Sequence, residues 1–272
     1  MNSPVNSACS MMKSSKLIVL MLLSALGANA QSHMIGFGPS RILDTYISQE
    51  KFSGAGFTYL YIYDGRKPGK RWQNTIEHEV DLSKSKDRSG NISMLEGNYN
   101  LYWARLATLV DSRASRPSSV SSASSFHLQA GLAANANLGF LYDMSSSNNP
   151  AQARLALNIM PAGIATYGFS LWQQRFSLRY ELNLPLVGIM FSPNYGQSYY
   201  EIFTRGNYDR NVVPTTFVSA PTFRQILTLD WQFSDRWALR IGYLGNYQQA
   251  DINHLKQHIY THRVLLGIAK CL

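Results

Sequence analysis

Residues 175–184 read Arg-Phe-Ser-Leu-Arg-Tyr-Glu-Leu-Asn-Leu, so that polar and apolar side chains alternate without a break. Successive side chains of a β-strand point to opposite faces of its sheet. A strand formed here therefore has one apolar face and one charged face. The segment predicts a sheet that separates two environments of opposite polarity.

The same alternation recurs along the chain, whereas no helical periodicity of useful length is present. A chain that begins and ends on the same side of a membrane needs an even number of strands, and residues 38–48 are the candidate for the first. We therefore predict an all-β, transmembrane, antiparallel up-and-down β-barrel of about ten strands, with eight or twelve left open. The nine clearer strand candidates are 54–64, 71–83, 93–107, 125–143, 151–170, 174–191, 221–233, 236–249 and 258–270.

The alternative with the same period is a soluble β-sandwich or a lipocalin-like barrel, which turns its polar faces to water. Soluble surfaces are usually rich in Lys and Glu, but these polar faces carry Arg, Asn, Gln and Thr. Charged residues make up only 15% of the chain. After the N-terminal region no run reaches 18 apolar residues, which argues against helical spans. The composition favours the membrane barrel.

The N-terminal region has the pattern of a secretory signal. Lys13 and Lys16 precede the apolar run 17–23, and the small-residue site Ala28-Asn29-Ala30 follows. The run is too short for a membrane anchor. We expect residues 1–30 to be a signal peptide cleaved after Ala30, and residues 31–272 to form a single barrel domain in the outer membrane.

The net charge indicates which kinds of partner to expect, and the cysteine content excludes an intrachain disulfide. The formal charge of +9 falls to about +7 without Lys13 and Lys16, and export argues against nucleic acid as the partner. Anionic lipid headgroups or lipopolysaccharide at the rim, and the barrel-assembly machinery, are the expected partners of a monomer. The alternative is scattered charge that has no specific partner. Only Cys271 remains after cleavage, so no intrachain disulfide can form and barrel closure must supply stability.

The connections predict the orientation. The short turns 173–174 and 234–235 are typical of the periplasmic side, where barrel turns are short. The longer connections 84–92, 144–150, 192–220 and 250–257 alternate with them, and we expect these on the extracellular side. The Ser-rich stretch 112–125 fits poorly, since it falls on the periplasmic side.

The inward faces of the predicted strands collect many charges. In a small barrel such charges usually pair across the lumen and fill it. A narrow ion path and a catalytic group are the alternatives. The acidic members are Glu77, Glu79, Asp81, Glu96, Glu181 and Asp230, and the basic members are Arg154, Arg179, Arg224, Arg240 and Arg263.

The stretch 191–203 breaks the alternation, begins the longest loop and is dense in tyrosine. One interpretation is a loop that packs on or into the barrel mouth, with Glu201 reaching an interior arginine. The other is an aromatic ligand-binding surface, since loops often carry function. The candidate binding residues are Tyr195, Gln197, Ser198, Tyr199, Tyr200 and Glu201.

Enzymatic barrels have recognisable constellations, and this chain matches them poorly. Outer-membrane phospholipases use His-x-Ser, but residue 129, two after His127, is Gln. Omptin-like proteases need acidic pairs, and His254 and His258 have only Asp251 nearby. Those two histidines have metal-ligand spacing only on a helix. We predict no catalytic residue, metal or cofactor. A lipid or peptide hydrolase remains a lesser alternative, which substitution of Ser198 or His127 would test.

Several segments resemble an uncharacterised family of Bacteroidetes exported proteins. The longest is 195–203, Tyr-Gly-Gln-Ser-Tyr-Tyr-Glu-Ile-Phe, within a run from Pro185 to Asn207. The others are 41–46, 241–245, 253–256 and 260–262. The resemblance covers nearly all of the mature chain. It implies an envelope location and a domain of unknown function, and it brings no activity or site residues.

Overall fold

The computed structural model describes residues 30–65, 70–112, 124–146 and 150–270. The predicted signal peptide lies outside the described residues except for Ala30. Most of the Ser-rich stretch 112–125 and Cys271 also lie outside them.

The described chain forms twelve strands and one short helix. Their bounds are β1 Ala30–Asp44, β2 Ser48–Asp64, β3 Trp72–Lys86, β4 Ser93–Asp111, β5 Ser125–Asp143, β6 Ala151–Leu171, β7 Gln174–Asn183, β8 Val187–Phe191, α1 Tyr199–Phe203, β9 Val212–Thr216, β10 Phe223–Gln232, β11 Trp237–Ile252 and β12 Leu255–Lys270.

Ten of the strands close into an antiparallel barrel, as the alternation predicted. The order around the wall is β1 to β7, then β10, β11 and β12, and β12 pairs with β1. Following paired residues from Phe169 of β6 once around the wall returns to β6 at Leu157, twelve residues away. With ordinary strand spacings, this stagger corresponds to a strand tilt of about 40°.

The two remaining strands, β8 and β9, extend β7 and β10 along the wall. Between Ile159 and Ala162, β6 advances three residues while its neighbour advances four, from Asn183 to Val187. This extra residue is a bulge at 184–186, where Pro185 has no N–H to donate. The predicted strand 174–191 is therefore interrupted, although β8 still pairs with β6.

The barrel has two distinct ends. The terminal end holds Ala30, Lys270 and the turns at 172–173 and 233–236. The loop end holds the turns at 45–47, 87–92 and 253–254, residues 144–146 after β5, and the connection 192–211.

The predicted loop 250–257 is wrong, because β11 and β12 continue through it. Only Asn253 and His254 form the turn, and both have positive φ, 53° and 61°. Two successive residues with positive φ are the pattern of a type I′ hairpin turn, which asparagine tolerates at its first position.

The first strand also differs from the predicted 38–48. β1 begins at Ala30, turns at 45–47, and β2 already starts at Ser48. The alternation of polar and apolar side chains within β1 is interrupted by Gly36, Gly38 and Pro39. Gly38 is required by close strand approach, because a Cβ there would lie 2.2 Å from the carbonyl oxygen of His262.

No helix among the described residues is long and apolar enough to cross a bilayer. The short helix α1 lies in the connection at the loop end.

Candidate functional site

The wall separates an apolar outer surface from a polar interior. Outward-facing Phe37 and Val264 are 61% and 72% exposed, whereas inward-facing Glu79 and Arg224 are fully buried. This inversion of the soluble-protein pattern is the arrangement of a transmembrane β-barrel. Any site within the barrel must therefore be built from its inward side chains.

Arg224 lies at the centre of the lumen. Its guanidinium contacts carboxylates of Glu77 at 2.8 Å, Glu79 at 2.7 Å and Glu181 at 3.2 Å. It also lies 4.3 Å from the centre of the Tyr102 ring. The planar, always-charged guanidinium is suited to such multiple contacts.

Neutral and charged neighbours extend this cluster across the lumen. Arg179 pairs with Glu181 at 2.7 Å and lies 3.9 Å from Glu77. The Asn246 amide donates a hydrogen bond of 2.9 Å to Glu79. The contacts join strands from opposite sides of the barrel, so the cluster crosses the lumen.

A second ion pair joins Arg263 to Asp81 at 3.1 Å. Thr58 hydrogen-bonds both groups. Gly56 leaves the room that the guanidinium occupies, since a Cβ at that position would lie 2.2 Å from an Arg263 nitrogen.

Two further pairs lie away from the centre. Arg154 pairs with Glu96 at 3.2 Å. Arg240 pairs with Asp230 at 2.6 Å and donates to the hydroxyl of Ser32 near the terminal end. The structure thus places all eleven charged residues predicted to face inward in ion pairs, and no arginine among them is left without a carboxylate.

Buried apolar side chains occupy much of the remaining lumen, which the sequence analysis missed. Phe52, Met94 and Leu141 are fully buried and form a cluster toward the loop end. Met34 and Leu60 belong to a second cluster. The signal was present in stretches such as 59–62, Tyr-Leu-Tyr-Ile, which are apolar on both faces.

The buried side chains of the described strands fill much of the lumen. A cavity of about 50 Å³ lies against β4 to β6, β8, β9, β11 and β12, lined by side chains that include Asn137, Arg154, Gln248 and Gln257. Such a space holds a few water molecules at most. On the outer wall, a shallow apolar groove of about 520 Å³ lies over Trp103, Leu157 and Ile189.

The connection 192–211, which we call the aromatic loop, is fixed by its own amides. Gln197 accepts from the Asn194 backbone N–H at 3.0 Å and from the Asn211 amide at 2.7 Å. Asn253, in the neighbouring turn, donates to the carbonyl oxygens of Ser192 and Arg210. Gln197, predicted as a binding residue, is therefore buried within the loop.

Ser198 and Glu201 form a capping box at the start of α1. The Ser198 hydroxyl accepts from the Glu201 N–H, and the Glu201 carboxylate accepts from the Ser198 N–H at 2.8 Å. The Ser198 N–H and the Ser198 hydroxyl both donate to the Glu201 carboxylate, and they hold the pKa of Glu201 below its ordinary value. The predicted contact of Glu201 with an interior arginine is wrong, because the carboxylate is used to cap the helix.

Tyr199 anchors the loop to the barrel mouth. Its hydroxyl donates to Gln152 at 2.8 Å and accepts from the Ala153 N–H, and its ring meets that of Tyr46 edge-on. Burial, assisted by the nearby charges of Asp44 and Glu201, raises the pKa of Tyr46 to about 12. Burial likewise raises the pKa of Tyr199.

The outer side of the loop is exposed and aromatic. Tyr195, Tyr200 and Tyr208 are 69%, 59% and 65% exposed. The Arg205 guanidinium lies 5.4 Å from the centre of the Tyr200 ring. The candidate residues therefore divide into an anchoring set and an exposed set.

The residues considered for catalysis are not brought together. His127 lies near the start of β5 at the terminal end, whereas Ser198 lies in the aromatic loop at the other end. His254 is in a two-residue turn and His258 is in β12, so the helical spacing does not arise. Within the described ranges, no group of three or more His, Cys, Asp or Glu is placed to hold a metal.

Solved structures similar to this chain are membrane barrels. The transport unit of the autotransporter AIDA-I from Escherichia coli has 8% identity and a TM-score of 0.45, covering 91% of each chain. The translocator domain of NalP from Neisseria meningitidis has 10% identity and a TM-score of 0.38, covering 98% of each. Neisserial surface protein A has 9% identity and a TM-score of 0.36, covering 89% of this chain and 97% of that one. None of these likenesses bears on the activity of this chain.

No curated protein matches the chain. A family described as "Protein of unknown function (DUF3316)" matches residues 22–272, which is nearly the whole sequence. The chain therefore belongs to the DUF3316 family.

Proposed function

We propose that this protein is an outer-membrane barrel with a closed lumen, which acts as a rigid support for an adhesive surface on the aromatic loop. The loop end faces the outside, and the terminal end faces the periplasm. Lipid and lipopolysaccharide surround the wall of a monomer that the barrel-assembly machinery inserts. The predicted signal peptide, cleaved after Ala30, accounts for export.

The filled lumen is the observation that carries this proposal. Arg224 and Arg263 are among the largest fully buried side chains, and Phe52, Met94 and Leu141 pack toward the loop end. A conducting pore needs a continuous aqueous path, with charges that water and ions can reach. A barrel filled in this way is better suited to holding its loops than to passing solutes.

The aromatic loop supplies the binding surface. Tyrosine offers a large, rigid contact area at low conformational cost, and it is favoured where proteins recognise other proteins. Tyr195, Tyr200 and Tyr208 are exposed, while Gln197 and Tyr199 hold the loop in place. An ordered loop loses less entropy on binding, which favours affinity.

Adhesion of cells that display the protein tests this proposal. Cells with the intact barrel and with the triple variant Tyr195→Ser, Tyr200→Ser, Tyr208→Ser are compared on plates coated with collagen, fibronectin or laminin. We expect the triple variant to lose most of the adhesion that the intact barrel confers. The matched control is Trp172→Ser, which removes an 86% exposed aromatic side chain at the terminal end.

Equal adhesion by the triple variant, at equal surface abundance, would contradict the assignment to the aromatic loop. Absence of adhesion by the intact barrel to every coating would contradict the adhesive role itself.

The other two functions gain less support. A narrow anion channel would be favoured by unpaired inward arginines, but each of the five has a carboxylate partner. A hydrolase built on His127 and Ser198 is disfavoured because these residues lie at opposite ends of the barrel.

A further inference from the structure

One sector of the outer wall carries exposed cations at the loop end. Arg41 of β1 and Lys84 and Lys86 of β3 are exposed on the outward face. Lys51 of β2 is exposed above them. Within the described part of the chain, Arg41, Lys84 and Lys86 have no ion-pair partner.

The strand register brings these cations around a shallow trough. Arg41 is opposite Ser53, and Ser53 is opposite Lys86. Arg41 and Lys86 are therefore two strands apart, or about 10 Å. The small residues Ser53 and Ala55 form the floor between them, with Lys84 opposite Ala55. Long flexible side chains on both sides can converge over this floor.

An apolar row lies next to the trough on the membrane side. Val264, Phe37, Phe57 and Leu82 are consecutive partners across β12, β1, β2 and β3. Phe37 and Phe57 are in contact, with ring centres 5.2 Å apart. Cations thus stand directly above apolar side chains, and this matches a lipid whose anionic headgroup lies above acyl chains.

Beyond β3, the row of outward residues that contains Lys84 carries no further charge. The row that contains Lys84 continues through Leu95 of β4, Tyr142 of β5 and Ala151 of β6. None of these three is charged. A general attraction for an anionic membrane surface would not require such an asymmetry, whereas a discrete lipid site would.

We propose that Arg41, Lys84 and Lys86 bind the phosphate groups of a phosphorylated lipid of the outer leaflet, with its acyl chains against Phe37 and Leu82. The choice of leaflet rests on the proposed orientation of the barrel. The contact with the lipid does not depend on what the aromatic loop binds. The failure of one proposal would therefore leave the other intact.

Lipid binding by the purified barrel in a maltoside detergent tests this site. The ligands are diphosphoryl lipid A and its monophosphoryl and dephosphorylated forms, with bound lipid counted by native mass spectrometry. We expect the triple variant Arg41→Gln, Lys84→Gln, Lys86→Gln to bind diphosphoryl lipid A at least about tenfold more weakly than the intact barrel. The dephosphorylated form should bind weakly to both.

The matched control is Lys70→Gln, Arg71→Gln, Arg236→Gln, which removes the same charge from the terminal end. It should bind diphosphoryl lipid A as the intact barrel does. Both triple variants must keep the faster gel migration of the unboiled sample, which shows a folded barrel. If the site variant does not, the single variant Lys84→Gln replaces it, and Arg236→Gln replaces the control variant in the same way.

Equal weakening in the two triple variants would overturn the site in favour of net charge. Equal binding of all three lipid forms would overturn the role of the phosphates. Displacement by inorganic phosphate at the same concentration would reduce the site to a simple anion patch and overturn the lipid assignment.

Discussion

The wall of the barrel divides its cations into two populations. Inside, Arg224 is fully buried and touches three carboxylates within 3.2 Å. Outside, Lys84 and Lys86 are exposed and have no ion-pair partner among the described residues. The inward positive charges therefore hold strands together across the lumen, whereas the outward ones remain available to a partner.

The residue types match these roles. All five inward cations that the sequence analysis singled out are arginines, whose fork binds several carboxylate oxygens in fixed geometry. Two of the three cations in the proposed lipid site are lysines, which act as mobile point charges on flexible stems. Substitution of the inward arginines should therefore lower the unfolding free energy strongly, whereas substitution of the outward cations should hardly change it.

The largest effect is expected for Arg224→Met. Removing this guanidinium leaves three buried carboxylates without their common partner, and breaking a buried charge pair costs about 3–5 kcal/mol. Urea unfolding of the barrel in lipid vesicles measures the change. A loss of stability below about 0.5 kcal/mol would show that the central cluster does not hold the barrel together.

Arg240→Met should cost less than Arg224→Met, about 2 kcal/mol. Arg240 has a single carboxylate partner, Asp230, and its side chain is 11% exposed near the terminal end. Water can therefore replace part of the lost interaction. Comparing the two variants in the same unfolding assay tests whether burial sets the cost, and equal losses would contradict it.

The capping box predicts a smaller, pH-dependent effect confined to the aromatic loop. Because the pKa of Glu201 is lowered in the folded loop, its contribution is complete above the ordinary value of 4.5 and is lost as pH falls through the lowered pKa. The protection of the α1 amides against hydrogen exchange, corrected for the intrinsic exchange rate, should therefore fall below about pH 4.5.

Two variants test the cause of this pH dependence. Glu201→Gln should remove it, and Ser198→Ala should quicken exchange at every pH, by about fivefold if the cap contributes about 1 kcal/mol. Ser89→Ala, in the β3–β4 turn, is the control. A pH profile that Glu201→Gln leaves unchanged would assign the titration to another group.

The smallest effect is expected for the triple variant of Arg41, Lys84 and Lys86. Exposed cations without partners contribute little to folding, so its unfolding free energy should lie within about 0.5 kcal/mol of that of the intact barrel. The same urea assay measures it. A loss comparable to that of Arg224→Met would erase the distinction between the two populations.

The barrel could be predicted because strands such as β7 and β10 alternate with a period of two. Once Leu178 and Tyr180 face lipid, Arg179 and Glu181 must face the lumen, whatever the exact strand bounds. The inward charges therefore followed from parity alone. The pairing partners of these charges could not be predicted from parity. Contacts such as that of Arg224 with Glu79 depend on barrel closure and on the stagger of the strands, which the sequence of a single strand does not show.

The loop end was less predictable for a physical reason. At the end of β11 the alternation is reversed, because Asp251 on the outward face is exposed whereas Ala250 and Ile252 on the inward face are buried. The polar residues Gln249 and Asp251 therefore looked like a loop. The capping box was available in the sequence, since Ser198 followed by Glu201 has the spacing that marks a helix start. The sequence analysis assigned Glu201 to an interior arginine or to a binding surface, and it did not use this local signal.

The central claim is that the lumen is closed by its own side chains. Its most direct test is ion conductance of the purified barrel in a planar lipid bilayer at pH 7. We expect no steady single-channel current, because the ion pairs around Arg224 and the apolar cluster of Phe52, Met94 and Leu141 interrupt any aqueous path. A steady, voltage-sustained current through the folded barrel would contradict this account and favour the narrow channel.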